Sequence, residues 1–352
     1  MSALRKPRSR RTGAASHGED AGDGRRGRGR GRNRGRNRGR GRGRRRGRGQ
    51  GQGGGGRSGG GDGGLPELGP LPDGVAWESC VGMVDIGANL AHKSMRGRVE
   101  EFVARSGSNG VGAIIITGTS VKDSETAAAM AVEAEGREAG VALVSTAGVH
   151  PHDAKRWDAA TAARIEALLA DDHVVAVGEC GLDYNRMFST KDEQVTAFRA
   201  QLEIAARVAK PLFLHERDAW EPFVEILAEY WPSLPAGGVV HCFTSPPEAL
   251  AAYLELGAYI GITGWVCDER RGGPLRDLVA SIPLDRILIE TDAPFLKPRG
   301  VAAIPSRGRN EPAYLPYVAV AVAECMGVTA EELVAASTAN AVRLFGEAVA
   351  PR

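Results

Sequence analysis

The sequence predicts an α/β protein with the architecture of a TIM-type (β/α)8 barrel, and three observations support that prediction. Eight short apolar runs follow one another between residues 82 and 292. Amphipathic stretches, with apolar residues at three- and four-residue spacing, separate many of these runs, which is typical of strands alternating with helices. The alternation extends over about 270 residues, which is the length of one such barrel.

The apolar runs are the predicted strands, and in chain order they cover residues 82–87, 113–118, 142–149, 174–179, 211–216, 237–243, 259–264 and 286–292. Helical periodicity is clearest in residues 124–140, 158–172, 191–210 and 246–257. A doubly wound open sheet is the competing topology, but no GxGxxG sequence follows the first strand to support it. In a barrel the carboxyl ends of all strands meet at one rim, so residues at those ends are the functional candidates.

Composition limits the class of protein. The chain has 352 residues, of which 42% are hydrophobic, and this is enough for a sizeable core. The cysteines are odd in number and form no CxxC pair, which is typical of reduced intracellular thiols; they are Cys80, Cys180, Cys242, Cys267 and Cys325. No apolar stretch approaches the roughly 20 residues that a membrane span needs. We therefore expect a soluble, cytoplasmic monomer that makes no contact with a membrane.

The first 73 residues differ sharply from the rest of the chain. They contain 20 Lys and Arg against 6 Asp and Glu, a net charge of +14, whereas the remainder contains 25 against 37, a net charge of −12. Residues 24–64 are nearly all Gly, Arg, Asn and Gln, so residues 1–73 are predicted to form a disordered, RG-rich basic arm. Such an arm would bind DNA or RNA non-specifically. A solubilising extension and a targeting segment for an organelle or the nucleus are the alternatives.

Four titratable residues stand at the ends of predicted strands. Glu179 ends the fourth strand, and His215, His241 and Asp292 lie near the ends of the fifth, sixth and eighth. One such group costs several kcal/mol to bury unless it is paired or bound to a metal. Carboxylate and imidazole groups that converge at one rim suit a divalent cation, and Asp292 could also act as a general base on water. The alternatives are a salt bridge for Glu179, hydrogen-bonded core histidines, and an N-cap at Asp292.

Two further histidines follow the third strand in the sequence GVHPHD. His150 and His152 could hold a phosphate or a leaving group, whereas a turn beginning at Pro151 explains them without any such role. Trp265 and Phe295 lie beside the predicted loops of the rim and could stack on bases, although as core aromatics they need no such role.

Seven motifs, in this order along the chain, resemble those of the TatD family of metal-dependent deoxyribonucleases, and closely its bacterial branch: GVHPHD, GECGLDYNR, LHERDA, VVHCFT, GITGWVCDERRG, LIETDAPFLKPR and RNEPAYLP. The resemblance covers nearly all of the chain outside the arm. It implies a barrel of the metallo-dependent hydrolase kind over residues 82–348 that hydrolyses phosphodiester bonds in DNA. It further implies a 3′–5′ exonuclease that acts on single strands, with RNA as a further substrate and with Mg²⁺, or else Mn²⁺ or Zn²⁺, as cofactor.

The resemblance also implies roles for individual residues. Carried over to this sequence, the metal ligands are Glu179, His215 and His241, with Asp292 as the fourth group near the metal and His150 close by. Glu179 and Asp292 are thereby the predicted catalytic residues, and Asp292 would take the proton from the attacking water.

Further residues are predicted to hold the substrate phosphates or the chain end, together with His150; they are Arg270, Arg271, Arg309, Asn310 and Glu311. Guanidinium groups match phosphate oxygens in geometry and charge. Ordinary solvation of the loops is the alternative.

The first strand departs from the pattern of many relatives, which carry Asp-x-His-x-His there. In this chain Asp85 is followed by Gly87 and Asn89 at the two histidine positions, as in the bacterial branch of the family. Two ligands are thereby lost, so we expect one weaker metal site that prefers Mg²⁺ over Zn²⁺. Asp85 either orients the metal site or caps a turn.

Two other functions are compatible with parts of the sequence. A barrel of this architecture could hydrolyse an amide or ester bond in a small molecule, and the arm alone could make an RNA-binding protein with an inactive barrel. The second alternative is disfavoured because Glu179, His215, His241 and Asp292 are all present.

Overall fold

The computed structural model describes residues 68–72, 75–135, 140–268 and 272–351, so the predicted arm up to residue 67 lies outside the described part of the chain. Eight parallel strands form one sheet in the order β1 to β8. They are β1 Met83–Ala88, β2 Val111–Ile116, β3 Ala142–Ala147, β4 Val174–Asp183, β5 Leu212–Arg217, β6 Gly238–Val240, β7 Tyr259–Ile262 and β8 Ile287–Ile289. The predicted barrel and each of its eight predicted strands are confirmed.

Helices connect successive strands and surround the sheet. In the described residues they are α1 Val99–Ser108, α2 Val121–Ala134, α3 Ala159–Leu168, α4 Lys191–Val208, α5 Trp220–Tyr230, α6 Pro247–Glu255, α7 Gly273–Val279, α8 Leu315–Met326 and α9 Ala330–Phe345. None of these helices is long and apolar enough to cross a membrane.

The starts of several helices are fixed by side chains that cap them. Thr190 and Glu193 form a reciprocal capping box at the start of α4, and Thr329 and Glu332 do the same for α9. Each box satisfies backbone N–H groups that have no partner within the helix.

The strands are buried on both faces, as is typical of a parallel barrel. One set of side chains fills the barrel interior, including Val84, Ile86, Ile115, Phe213 and Leu288. The opposite faces of the strands pack against the surrounding helices in a larger apolar cluster. This continuous core explains why the strands appear in the sequence as unbroken apolar runs. The five cysteines are free.

The barrel closes between β1 and the residues that follow β8. Ala88 forms a parallel bridge with Ala293, and the Asn89 N–H donates to the Ala293 carbonyl over 2.6 Å. The Asp292 N–H donates to the Gly87 carbonyl over 2.8 Å. The backbone of the first strand therefore fixes the position of Asp292 at the rim.

Described residues that precede the predicted arm boundary at residue 73 already contact the barrel. Leu71 is buried, the Gly69 N–H donates to the Ala303 carbonyl over 3.2 Å, and the Tyr317 hydroxyl donates to the Gly69 carbonyl over 2.7 Å. Residues 68–72 therefore pack on the barrel, because Leu71 supplies the apolar side chain that residues 24–64 lack.

Candidate active site

A cavity of about 920 Å³ opens at the carboxyl ends of the strands. The four predicted metal ligands all line it, and so does His150. The structure thus brings together Glu179, His215, His241 and Asp292 from four different strands, although their role as ligands stays a prediction.

Glu179 lies at the centre of a group of imidazoles. Its Oε1 atom is 2.8 Å from His215 Nδ1, 2.8 Å from His241 Nε2 and 3.3 Å from His150 Nε2. Burial raises the pKa of Glu179, but the charges of His241 and His150 outweigh this effect and hold the pKa well below its usual value. Glu179 is therefore an ionised carboxylate at the floor of the cavity.

His215 and His241 both face this carboxylate with one ring nitrogen. Burial lowers the pKa of His241, but Glu179 and Glu290 more than reverse this effect and raise it well above its usual value. The pKa of His215 is also raised, because hydrogen bonds to Asp183 and Glu179 outweigh the effect of its burial. The two protonated imidazoles thus face the same oxygen of the Glu179 carboxylate. The negative charge of that carboxylate, which stabilises the imidazolium groups, would stabilise a bound metal cation at the same place.

His150 differs from the other two imidazoles. Its Nδ1 atom accepts a hydrogen bond from the His152 N–H over 3.0 Å, so the ring proton of the neutral form lies on Nε2, which faces Glu179. Burial lowers the pKa of His150 to about 4, so the ring is neutral. Ligand atoms of His150, Glu179 and His215 lie within 4.8 Å of one another. The fixed tautomer nevertheless makes His150 a hydrogen-bond donor, whereas a metal ligand needs a free lone pair on Nε2.

Asp292 reaches the cavity from the segment after β8, where its backbone adopts a left-handed φ of 52°. Its Oδ1 atom accepts a hydrogen bond from the side-chain amide of Asn89 over 2.8 Å. Burial raises the pKa of Asp292, His241 opposes this effect, and the charges of Glu179 and Glu290 add to it, with the result that the pKa is about 8. A carboxylate of this kind can accept a proton near neutral pH.

Two carboxylates that the sequence reasoning missed stand behind the imidazoles. Glu290 is fully buried, and its Oε2 atom lies 3.4 Å from His241 Nδ1. Asp183 lies 3.5 Å from His215 Nε2 and 2.8 Å from His152 Nε2. Each predicted histidine ligand therefore has a carboxylate at its second nitrogen, which is the usual way to fix the orientation of a metal-binding imidazole.

The sequence does hold a signal for these two residues. Glu290 precedes Asp292 by two positions in LIETDAP, and Asp183 follows Glu179 by four in GECGLDYNR. The predicted eighth strand contains Glu290 and Asp292, and residues two apart on a strand face the same side of the sheet, so Glu290 could have been predicted to lie near the ligands. Asp183 follows the predicted end of the fourth strand, so its only signal is its closeness in sequence to Glu179.

Asp85 and Gly87 of the first strand contact the sequence Glu290-Thr291-Asp292. Asp85 accepts hydrogen bonds from the Thr291 N–H over 2.9 Å and from the Thr291 hydroxyl over 2.5 Å. Gly87 leaves room for Glu290, since a Cβ atom added to it would lie 2.5 Å from Glu290 Oε2. Asp85 therefore holds the end of β8 in place, and burial raises its pKa to about 7.

The predicted substrate-binding residues have different surroundings. Arg270 and Arg271 lie outside the described residues. Arg309 is exposed. Burial lowers the pKa of His92, which lines the cavity, and the charges of Lys93 and Arg309 add to this effect.

Asn310 and Glu311 are buried and do not line the cavity, in contrast to the predicted contact with substrate. The Asn310 amide donates to the Thr291 carbonyl over 2.7 Å, and Glu311 lies 3.3 Å from Arg105 of α1. Both side chains fasten the segment after β8 to other parts of the protein through these contacts. Basic residues that the sequence reasoning missed do line the cavity; they are Lys93, Arg96, Lys122, Arg186 and Arg217.

Residues 84–346 match a family model described as TatD related DNase. The chain is 48% identical over 264 residues to a 3′–5′ ssDNA/RNA exonuclease TatD of Shigella flexneri, and this match covers 75% of the chain and 99% of the relative. It is 47% identical over 264 residues to the Escherichia coli protein of the same description, with 75% of the chain and 99% of the relative covered. The structure resembles a crystal structure of a TatD-family hydrolase from Entamoeba histolytica, with a TM-score of 0.69, 26% identity, and coverage of 76% of this chain and 98% of that one.

Proposed function

The chain belongs to the family of TatD-related DNases and is therefore a hydrolase of the nuclease class, and we propose that it removes nucleotides from the 3′ end of single-stranded DNA or RNA. The relatives that carry this activity in their names match the chain over nearly their whole length. The observation that carries the proposal is the convergence of three imidazoles on the buried Glu179 carboxylate at the open mouth of the barrel.

The family implies a divalent metal, and the donor atoms at the cavity floor fit one. We propose Glu179, His215, His241 and Asp292 as the ligands, since they offer two carboxylates and two imidazoles around one space. A bound divalent cation supplies positive charge that stabilises the negative charge on the phosphate in the transition state.

We propose Mg²⁺ as this cation, because the first strand has Gly87 and Asn89 where two further imidazoles would favour Zn²⁺. Mn²⁺ accepts oxygen and imidazole ligands alike, so we expect it to replace Mg²⁺.

Asp292, Asn89 and His150 have different proposed roles in the reaction. Asp292 takes the proton of the attacking water, because its carboxylate reaches the cavity beside the other proposed ligands. Asn89 holds Asp292 Oδ1 and leaves the other oxygen for that proton. The neutral imidazole of His150 lines the cavity with its Nε2–H, which faces Glu179, and can donate a hydrogen bond to a phosphate oxygen of the substrate without transferring its proton.

Basic residues would hold the phosphates of the substrate. Arg270, Arg271 and Arg309 keep this proposed role, and the cavity-lining Arg186 and Arg217 join them. The basic arm would add non-specific attraction to nucleic acid through counterion release.

The experiment that tests this function uses 5′-labelled single-stranded DNA, incubated with the purified protein in EDTA, in Mg²⁺ and in Mn²⁺. We expect a ladder that shortens from the 3′ end in either metal and no cleavage in EDTA. A circular single strand of the same sequence is the matched control, since it has no end and should stay intact; labelled RNA of the same sequence should be shortened as well. Cleavage of the circle would contradict the exonuclease assignment. An absence of any oligonucleotide cleavage, together with turnover of amide substrates, would contradict nuclease function.

A further inference from the structure

Two aromatic rings in the described part of the protein are strongly exposed, and both are near the active-site cavity: Phe295 lines it, and Phe188 contacts His152, which lines it. Phe188 is 59% exposed and Phe295 is 48% exposed. The other large apolar side chains with comparable exposure in the described residues are aliphatic; they are Val81, Val132, Met187 and Leu284. Trp265 also lines the cavity but is half-buried against the core. The exposed aromatic surface is therefore concentrated around one site.

The two rings stand on opposite walls of the barrel. Phe188 lies in the loop between β4 and α4, and Phe295 lies in the segment after β8. In an eight-stranded barrel with strands in sequential order, β4 and β8 are four strands apart in either direction. Glu179 of β4 and Asp292 after β8 both line the cavity beside which these rings lie. A substrate bound at these two residues would have one ring on each side.

Both rings are held by contacts to residues of the site. The ring of Phe188 makes an edge contact with His152, with centroids 4.8 Å apart, and the ring of Phe295 does so with His92, with centroids 5.5 Å apart. The Phe295 N–H donates to the Asp292 carbonyl over 2.9 Å. Lys155 Nζ donates to the Phe188 carbonyl over 3.0 Å.

Hydrogen bonds from Gln194 and Ser189 also fix the loop that carries Phe188. The fully buried amide of Gln194 in α4 donates to the Ser189 carbonyl over 3.1 Å and to the Asp183 carbonyl over 3.0 Å. The Ser189 hydroxyl in turn donates to the His152 carbonyl over 3.1 Å. A phenyl ring held in this way keeps its apolar surface in water, which is unfavourable unless a ligand covers it.

From these observations we propose that Phe188 and Phe295 stack on bases of the substrate strand on the two sides of the scissile bond. One ring takes the base of the terminal nucleotide and the other takes a base of the strand that remains. Every base has an apolar face, so such contacts bind any sequence, and they require bases that are not already stacked in a duplex. The proposal rests on the proposed exonuclease function and adds to it a physical cause for the preference for single strands.

The experiment compares Phe188→Leu and Phe295→Leu with the wild type in steady-state cleavage of a single-stranded oligonucleotide. Leucine keeps an apolar side chain of similar size but removes the ring. We expect each variant to raise KM by about 5- to 100-fold, the range that a lost base-stacking contact produces, with kcat little changed. Phe188→Tyr and Phe295→Tyr keep the ring and should retain a KM close to that of the wild type. Leu284→Ala, at an exposed aliphatic residue just before β8, is the surface control and should not change KM.

Oligonucleotides with one abasic site, placed in turn at each of the last few positions, identify the base that each ring contacts. The effect of each Leu substitution should disappear on one of these substrates, and the two substitutions should lose their effect on different ones. The arm is present in all proteins, so its contribution cancels in the comparison.

Three results would overturn the proposal: an unchanged KM in both Leu variants, a KM change that is the same on intact and abasic substrates, or Tyr variants as impaired as the Leu variants. Thermal unfolding of each variant shows whether the fold is retained. A wild-type protein that shortens no single strand would refute the proposed function itself. Wild-type cleavage with unaffected Leu variants would refute only the role of the rings.

Discussion

Gly87 in the first strand and Glu290 after the eighth fit together so closely that a Cβ atom on Gly87 would lie 2.5 Å from Glu290 Oε2. Glu290 in turn faces His241 Nδ1 at 3.4 Å, and its other carboxylate oxygen accepts the Cys242 N–H over 2.5 Å. Gly87 thus makes space for a carboxylate behind a proposed metal ligand. Through this space and its hydrogen bonds, the first strand helps to position the site.

Gly87→Ala tests this relationship. The added methyl group would press on Glu290 Oε2 and on Phe213 Cζ at 2.9 Å, so we expect a loss of about 1–3 kcal/mol in the free energy of unfolding. We also expect weaker binding of Mn²⁺, because Glu290 would be pushed out of its position behind His241. Denaturant unfolding and isothermal titration calorimetry measure the two effects.

Gly97→Ala is the matched control, because a Cβ atom there meets nothing within 4 Å. The double variant Gly87→Ala with Glu290→Asp shortens the carboxylate side chain and should recover part of the lost stability. A Gly87→Ala protein with wild-type stability and metal affinity would contradict the packing relationship.

Glu290→Gln tests the carboxylate without changing its size. The amide cannot supply the negative charge that raises the pKa of His241, so the imidazole becomes a poorer and less well oriented ligand. We expect Mn²⁺ affinity to fall by about 10- to 100-fold, measured by calorimetry.

Glu216→Gln is the control at another buried carboxylate, whose hydrogen bonds come from the Ala219 N–H and the hydroxyls of Tyr253 and Ser245. Equal losses of metal affinity in the two variants would argue against a specific role of Glu290.

The sequence predicted the barrel well because its strands are buried on both faces and therefore appear as unbroken apolar runs. It predicted the positions of Glu179, His215, His241 and Asp292 because strand ends meet at one rim. It could not show that the imidazole of His150 is fixed as a donor, since this depends on the backbone N–H of His152. The burial of Asn310 and Glu311 was also hidden, because their partners, Thr291 and Arg105, lie on other elements that only the fold brings near.

Asn89→Ala tests how the first strand tunes the proposed general base. The Asn89 amide donates to Asp292 Oδ1, and this hydrogen bond lowers the pKa of that carboxyl. Its removal raises the pKa of Asp292, so the ionised form that accepts a proton appears only at higher pH. We expect the acidic limb of the profile of kcat/KM against pH to move to higher pH.

The control for this variant is Asn109→Ala, whose amide donates to the Arg105 carbonyl at the end of α1. It should leave the profile where it is in the wild type. An acidic limb that stays in place in Asn89→Ala, or moves to lower pH, would count against Asp292 as the base.

Two truncations separate the basic arm from the barrel. Removal of residues 1–67 leaves Gly69 and Leu71 in their contacts, whereas removal of residues 1–73 deletes them. We expect the longer truncation to lower the melting temperature and the shorter one to leave it unchanged, as measured by calorimetry. Both should flatten the dependence of DNA affinity on salt, because the arm carries the 20 Lys and Arg of the first 73 residues. Exonuclease turnover that vanished with the shorter truncation would place the arm in the catalytic machinery.

Metal binding should depend on pH in a direction that the site geometry determines. His215 and His241 hold protons against Glu179, and the pKa of each lies above its ordinary value of 6.5. A cation must displace these protons, so its affinity should be weak at pH 6.5 and below and should rise as the pH increases above that value. Calorimetric titration with Mn²⁺ in two buffers of different protonation enthalpy counts the protons released.

His241→Ala should release fewer protons on binding Mn²⁺, bind the metal more weakly and lose cleavage while it stays folded. His173→Ala is the control, because His173 lies before β4 and pairs with Asp171 at 2.9 Å. An affinity that does not vary with pH, or wild-type cleavage by His241→Ala, would contradict the proposed ligand set.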